Sequence, residues 1–311
     1  MTATEIATAS NFSVFFIRMI SSVLSCITHF WVRTIHKTCY FAVVRIAAIQ
    51  MTSGKDKSAN LAEAHRLLLE ALDRKAEFVA FPENFSLQTD QSRQFFSEAE
   101  VARGSMTVET LQEWAAEYDV WIVGGTISLK TKDEKKVRQS SLLISPEGEI
   151  VARYDKIHLF DADVPGDQKY HESKWVEPGK KAVTADTPLG KVGLTVCYDL
   201  RFPELYRVLS RDQVPVIFVP SAFTAVTGKA HWDTLTRARA IENLSYIVAP
   251  AQTGSPYPGR QTYGHTRIVD PWGRVLAERP AGPGVVWADI SLEKIAQVRK
   301  EFPVLNHRRL F

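Results

Sequence analysis

From residue 44 onward the chain alternates short, almost wholly apolar runs with stretches whose apolar residues recur every three or four positions. That alternation points to an α/β fold. Strands covered on both faces read as unbroken apolar runs, and the helices that cover them read with helical periodicity. Residues 44–51 and 78–81 read as buried strands, the second stopped by Pro82. Between them Leu61, Ala64, Leu67, Leu68, Ala71 and Leu72 mark one face of a helix, with Ser58 and Asn60 available to cap it. A helix over about 108–118 leads to strands at 120–126, 140–145 and 149–156, the last two joined as a hairpin through Pro146-Glu147-Gly148. Residues 157–181 read as a long polar loop, and loops of that length inside a compact domain tend to be functional. Strands at 182–186, 192–196, 214–219, 246–251, 267–270, 274–277 and 285–290 follow, with helices from Pro203 and over 231–242 and a turn at Asp270-Pro271-Trp272-Gly273. No repeat or linker divides residues 43–311, and so many strands exceed one modest open sheet.

Composition narrows the classes of function. With 311 residues, 45% hydrophobic and 23% charged, the chain is neither collagen-like, disordered nor a disulfide scaffold, and it buries a large core unaided. The balance of 38 basic and 35 acidic residues leaves no field of the size nucleic acid demands, so the expected partner is a small molecule. Cys26, Cys39 and Cys197 leave at least one thiol unpaired and form no metal-ligand spacing, which fits a reducing compartment and no metal. Residues 1–42 differ from the rest. No acidic residue lies between Glu5 and Asp56, whereas Arg18, Arg33, Lys37 and Arg45 do, which is the chemistry of a transit peptide. The apolar stretch 19–32 is interrupted by polar residues and falls short of the roughly 20 residues that span a bilayer. These residues are read as an N-terminal leader outside the fold, either a mitochondrial presequence or dispensable, with a secretory signal a third reading. The expected location is cytoplasmic or, through the leader, mitochondrial, with no membrane partner.

Three strands end in chemically useful residues. Glu83 follows the run 78–82, Lys156 closes 150–155, and Cys197 closes 192–196. A carboxylate, an ammonium and a thiol thus stand at carboxyl ends of strands, where α/β folds place their sites. A cysteine at such an end meets backbone N–H groups of the next turn, and a nearby ammonium favours its thiolate. Taken singly, the cysteine reads as well as a small core hydrophobe, and the charges as solvated rim residues.

The text around the trio is more specific. Phe-Pro-Glu-Asn at 81–84, Tyr-Asp-Lys-Ile-His-Leu-Phe at 154–160 and Val-Cys-Tyr-Asp-Leu-Arg-Phe-Pro-Glu at 196–204 resemble the three signature blocks of the nitrilase superfamily of carbon-nitrogen hydrolases. The resemblance runs over about 44–309 and includes Pro-Ser-Ala-Phe at 220–223, Thr-Gly-Lys-Ala-His-Trp at 227–232, Arg-Ala-Arg-Ala-Ile-Glu-Asn at 237–243, Tyr-Gly-His at 263–265 and Asp-Pro-Trp-Gly at 270–273, which look like the Nit branch. It implies a four-layer α-β-β-α sandwich, a homodimer and no cofactor. It also implies that Glu83 is the general base, Cys197 the nucleophile and Lys156 the stabiliser of a tetrahedral oxyanion. Glu172, in His171-Glu172-Ser173, matches the family's second glutamate, an auxiliary that orients substrate or assists proton transfer.

The chemistry is consistent with those roles. A thiol attacking an amide must lose its proton, and a positioned carboxylate can accept it and pass it to the departing amine. A fixed ammonium steadies the developing oxyanion, and the backbone N–H of Tyr198, next to the nucleophile, is the natural second donor. Tyr198 stands where the family's nitrile hydrolases carry Trp, so amide hydrolysis is favoured. Arg-Phe-Pro-Glu at 201–204, Pro-Ser-Ala-Phe and Asn-His-Arg-Arg at 306–309 look more like the subgroup that hydrolyses deaminated glutathione than the ω-amidases that act on α-ketoglutaramate. The expected reaction yields 2-oxoglutarate and cysteinylglycine, with Phe223 and Thr227 as candidate substrate contacts. A non-catalytic assembly or signalling module of the same fold is a further alternative, disfavoured by the intact trio. His231 and Trp232 read as substrate contacts or as structure, and Arg201, Glu204, Arg237, Arg239 and Glu242 as an internal ion-pair network. No P-loop and no G-x-S-x-G serine elbow is present.

Overall fold

The structure, a computed structural model, describes residues 43–90 and 92–310. The expected leader, 1–42, lies outside the described residues. The first half comprises β1 (Val43–Gln50), α1 (Lys57–Asp73), β2 (Phe78–Ala80), α2 (Ser92–Ser97), α3 (Met106–Glu117), β3 (Trp121–Val123), β4 (Ile127–Lys130), β5 (Val137–Ile144) and β6 (Ile150–Asp155). The connection that follows carries β7 (Asp161–Asp163) and β8 (Lys169–His171). Next come β9 (Val183–Thr187), β10 (Gly190–Leu194), α4 (Pro203–Leu209), β11 (Val216–Phe218), α5 (Ala225–Asn243) and β12 (Tyr246–Ala249). The chain closes with β13 (Thr253–Gly254), β14 (Thr262–Tyr263), β15 (Thr266–Val269), β16 (Val275–Arg279), β17 (Gly284–Ser291) and α6 (Leu292–Glu301).

Two sheets share one plan. The first has the order β17-β1-β2-β3-β5-β4 with β6 on β5, and the second the order β16-β15-β12-β11-β10-β9. Each is built on three parallel strands, β1, β2 and β3 in one and β10, β11 and β12 in the other, flanked by antiparallel strands. The pleat explains the layering. Val44, Ile46 and Ala48 of β1 join Leu194, Phe218, Val248 and Ile268 of the second sheet in one core. The alternate residues Ala47, Ile49 and Met51 pack with Leu61, Ala64, Leu67 and Leu68 of α1 and Val108 and Leu111 of α3. On the far side, Leu205, Tyr206 and Leu209 of α4 and Trp232 and Ala240 of α5 complete the first of these cores. The expected α-β-β-α sandwich is therefore what the chain forms, with each fully buried large apolar side chain contributing about 1.5–3 kcal/mol.

Several local expectations change. The cap of α1 is Asp56, whose side chain accepts the Ala59 N–H at 3.0 Å; Asn60, one turn inside, instead bonds Gly54 and the Ser86 carbonyl. The strand expected over 120–126 stops at Val123, and β4 was not foreseen. Gly124 and Gly125 separate the two, and a Cβ on Gly125, at φ +49°, would lie 2.1 Å from the Pro82 carbonyl oxygen. Only glycine fits beside the chain that leads to Glu83. The loop 157–181 contains the β7–β8 hairpin and a 3₁₀ turn over Glu172–Lys174, both too short and polar to show periodicity. Helix α5 begins six residues before the expected 231, capped by Thr224. Gly228 lowers its helical propensity yet lets Tyr263 approach, since a Cβ there would meet that ring at 2.3 Å.

Candidate active site

Lys156 leaves the end of β6 and is 2% exposed. Its Nζ donates to Glu83 Oε1 at 2.8 Å and to both carboxylate oxygens of Glu172 at 2.9 Å. Glu172 Oε2 also accepts the Phe160 N–H at 2.6 Å, so the short turn carrying it is tied to the chain just past Lys156. Burial by itself would discharge the ammonium, but Glu172 and Glu83 overcome it and hold the Lys156 pKa well above its ordinary value. Burial, with Glu83 assisting against Lys156, raises that of Glu172.

Cys197 enters from the second sheet. It follows β10 at φ +47°, a left-handed conformation that costs an L-residue roughly 1–2 kcal/mol, and its N–H donates to the Pro220 carbonyl at 2.9 Å. Asp199, fully buried, braces this turn. It accepts from the Val196 N–H at 2.8 Å, the Tyr154 hydroxyl at 2.7 Å and the His158 backbone N–H at 3.0 Å, and pairs with His158 Nδ1 at 2.7 Å. Because Tyr154 is two residues before Lys156 and Asp199 two after Cys197, one carboxylate couples the lysine strand to the cysteine turn. Sequence reasoning passed over Asp199; its signal was that it and Tyr154 stand in two of the quoted blocks.

Glu83, Cys197 and Ala222 line one space. Burial first, then the charge of Glu83, pushes the Cys197 thiol well above its ordinary pKa, against the opposing pull of Lys156 and the Ala222 N–H. The ammonium does favour the thiolate, as expected, but burial and Glu83 outweigh it. The net direction favours the thiol over the thiolate.

The trio and Glu172 line one cavity of about 350 Å³ together with Tyr170 and Arg260. The neighbouring Tyr198 packs its ring against Phe160 and Phe202, and its backbone N–H belongs to the 3₁₀ turn that starts at Cys197. Phe223 and Thr227 are outside this lining. The Phe223 ring packs at a tilt against Trp232 with centroids 4.9 Å apart, and the Thr227 hydroxyl is 3.0 Å from that of Thr224, the cap of α5. Trp232 is a core residue whose indole donates to the His265 carbonyl. His231 lies inside α5 and bonds Arg201 at 3.1 Å. The expected ion-pair network divides: Arg239 and Arg207 meet Glu242, Arg237 meets Asp233, and Arg201 lies over the rings of Tyr198 and Phe223. Among the described residues no three His, Cys, Asp or Glu side chains are gathered to hold a metal, and no helix is long and apolar enough to cross a membrane.

The chain is similar to several known proteins. Deaminated glutathione amidase from a Synechocystis strain is 44% identical over 265 residues, covering 84% of this chain and 97% of that protein. Omega-amidase NIT2 of Homo sapiens is 36% identical over 266 residues, covering 85% and 95%. The crystal structure of Saccharomyces cerevisiae Nit3, a member of branch 10 of the nitrilase superfamily, matches with a TM-score of 0.79 at 31% identity over 88% of this chain and 99% of that one. The carbon-nitrogen hydrolase family profile spans residues 45–300, and the chain belongs to that family of hydrolases, which act on carbon-nitrogen bonds.

Proposed function

We propose that the chain is a thiol amidase that hydrolyses deaminated glutathione to 2-oxoglutarate and cysteinylglycine. The observation that carries the substrate is the 44% identity, across nearly its whole length, with an amidase of that name, against 36% for the omega-amidase. In this reading Cys197 Sγ attacks the amide carbon while Glu83 takes the thiol proton. The carbonyl oxygen becomes an oxyanion held by Lys156 Nζ and the Tyr198 N–H. Collapse breaks the carbon-nitrogen bond as Glu83 returns the proton to the departing amine of cysteinylglycine, leaving a thioester on Cys197. Glu83 then deprotonates a water, which attacks the thioester. The second collapse releases 2-oxoglutarate and the thiolate, which recovers its proton from Glu83. Glu172 keeps Lys156 charged and aimed.

Dipeptide release from deaminated glutathione, measured beside ammonia release from α-ketoglutaramate, tests the assignment. A far higher kcat/KM for the first substrate is expected, because contacts to the dipeptide act in the transition state. Equal efficiency, or preference for the smaller amide, promotes the omega-amidase reading that the human relative supports. Inactivity on both promotes the non-catalytic module. Phe223 and Thr227 enter as proposed contacts of the dipeptide half, tested by a rise in KM for deaminated glutathione in Phe223→Ala and Thr227→Ala. The homodimer is likewise a proposal, read by sedimentation, as is a cytoplasmic or mitochondrial location, read by fractionating cells that express the full chain.

A further inference from the structure

Three arginines are almost completely buried among the described residues, and they are not equivalent. Arg239 pairs with Glu242 at 2.9 Å, and Arg267 with Asp233 at 2.6 Å and with Glu278. Arg260, 8% exposed, has no carboxylate within ion-pairing distance among the described residues. Its Nη2 donates to the Ala222 carbonyl at 2.7 Å, its guanidinium carbon lies 4.8 Å from the centroid of the Tyr170 ring, and its Nε has no hydrogen-bond partner. Arg267 Nε is also without a partner, but that guanidinium is neutralised through its other two nitrogens. A guanidinium carries five donors and stays charged, and burying it beside only neutral groups is costly.

Arg260 is also the one of the three that lines the catalytic cavity. Ala222 connects it to the chemistry, since Ala222 and Cys197 line the same cavity and the Ala222 carbonyl takes Arg260. The guanidinium and the nucleophile therefore face one cavity of about 350 Å³. A substrate whose carboxylate lies a few bonds from the scissile carbonyl can reach both within such a space.

We infer that Arg260 anchors a carboxylate of the substrate while Cys197 attacks its amide. The inference rests on the amidase reading above and deepens it by naming what selects an acidic amide. A planar guanidinium matches a carboxylate in two parallel hydrogen bonds, and in a cavity removed from water such a pair is strong and selective. Deaminated glutathione offers two carboxylates of the same chemistry, one on the 2-oxoglutaryl end and one on the glycine end.

The test measures kcat/KM in two pairs of substrates for the wild type, Arg260→Gln and Arg260→Lys. The first pair is glutaramate and its neutral diamide; the second is deaminated glutathione and its glycine-end amide. Arg260→Gln is expected to lower the preference for the charged member by about 100-fold in one pair, which identifies the end that is held, and Arg260→Lys to recover part of it. A fall in turnover that leaves both preferences unchanged overturns the inference and makes Arg260 a structural or general electrostatic residue. A wild type that hydrolyses glutaramate with an Arg260-dependent preference but not deaminated glutathione retains the inference and refutes the substrate reading.

Discussion

The two halves of the site are held in opposite ways. On the first sheet's side, Glu83, Lys156 and Glu172 form a buried ionic cluster in which the ammonium meets both carboxylates within 2.9 Å. On the second sheet's side, Cys197 is neutral and is positioned by backbone, with a left-handed φ, a hydrogen bond to Pro220 and the brace of Asp199. The difference teaches a division of work. In the proposed mechanism the charged half is fixed before substrate arrives and supplies electrostatics without reorganising, whereas the neutral half stores a proton that leaves only when the sulfur attacks. Asp199 keeps the two in register.

The strongest break of the comparison removes the neutral half's reacting atom. Cys197→Ala is expected to abolish turnover and to leave folding intact, since a small apolar side chain suits the same buried turn; residual activity of even a tenth in a steady-state assay would exclude a covalent role. Cys197→Ser is expected to fold equally well and remain nearly inert, because a hydroxyl is far less acidic than a thiol.

Next comes the charged half. Lys156→Ala is expected to lower kcat by at least ~100-fold with a much smaller change in KM, the scale of a lost oxyanion donor. The same change leaves Glu83 and Glu172 facing each other without a cation, so a loss of about 3–5 kcal/mol in denaturant unfolding is expected as well. A defect confined to KM would reassign Lys156 to substrate binding.

The smallest effect probes the brace between the halves. Asp199→Asn keeps the size of the side chain but cannot accept from every donor that surrounds it. A loss of ~1–3 kcal/mol in stability is expected, with kcat falling by less than in Lys156→Ala and KM little changed. Unchanged kcat in a folded variant would show that the cysteine turn holds its geometry without Asp199.

Much of this architecture is legible in the residues themselves. Glu83, Lys156 and Cys197 each follow a strand that the sequence announces, so topology delivers them to one end of the sandwich, and buried strands such as β1 and β11 announce themselves by composition. What stays hidden depends on contacts distant in sequence. Asp199 acts through Tyr154, 45 positions away, and Arg260 acquires its meaning from Ala222, 38 positions away. No local pattern reports that a buried arginine lacks a counter-charge. β4 and the β7–β8 hairpin are hidden for a different reason, being too short, and the hairpin too polar, to show a strand pattern. The direction of the Cys197 shift is hidden because it follows from a balance of burial, Glu83 and Lys156 that only the assembled site sets.

That balance is the central claim, and the pH profile of Cys197 alkylation by iodoacetamide, in the wild type and in Glu83→Gln, tests it most directly. With burial and Glu83 holding the thiol up, the thiolate fraction is small at neutral pH and grows as pH climbs toward the raised pKa. The wild-type rate is therefore expected to keep rising beyond pH ~9 instead of levelling near the ~8.5 of an ordinary thiol. Glu83→Gln, having lost the repelling charge, is expected to show its midpoint at lower pH and to react faster at pH 7, whereas amide turnover, which needs the proton acceptor, is expected to be lost. A wild-type plateau below neutral pH, or identical profiles in the two proteins, would contradict a protonated resting thiol activated by Glu83.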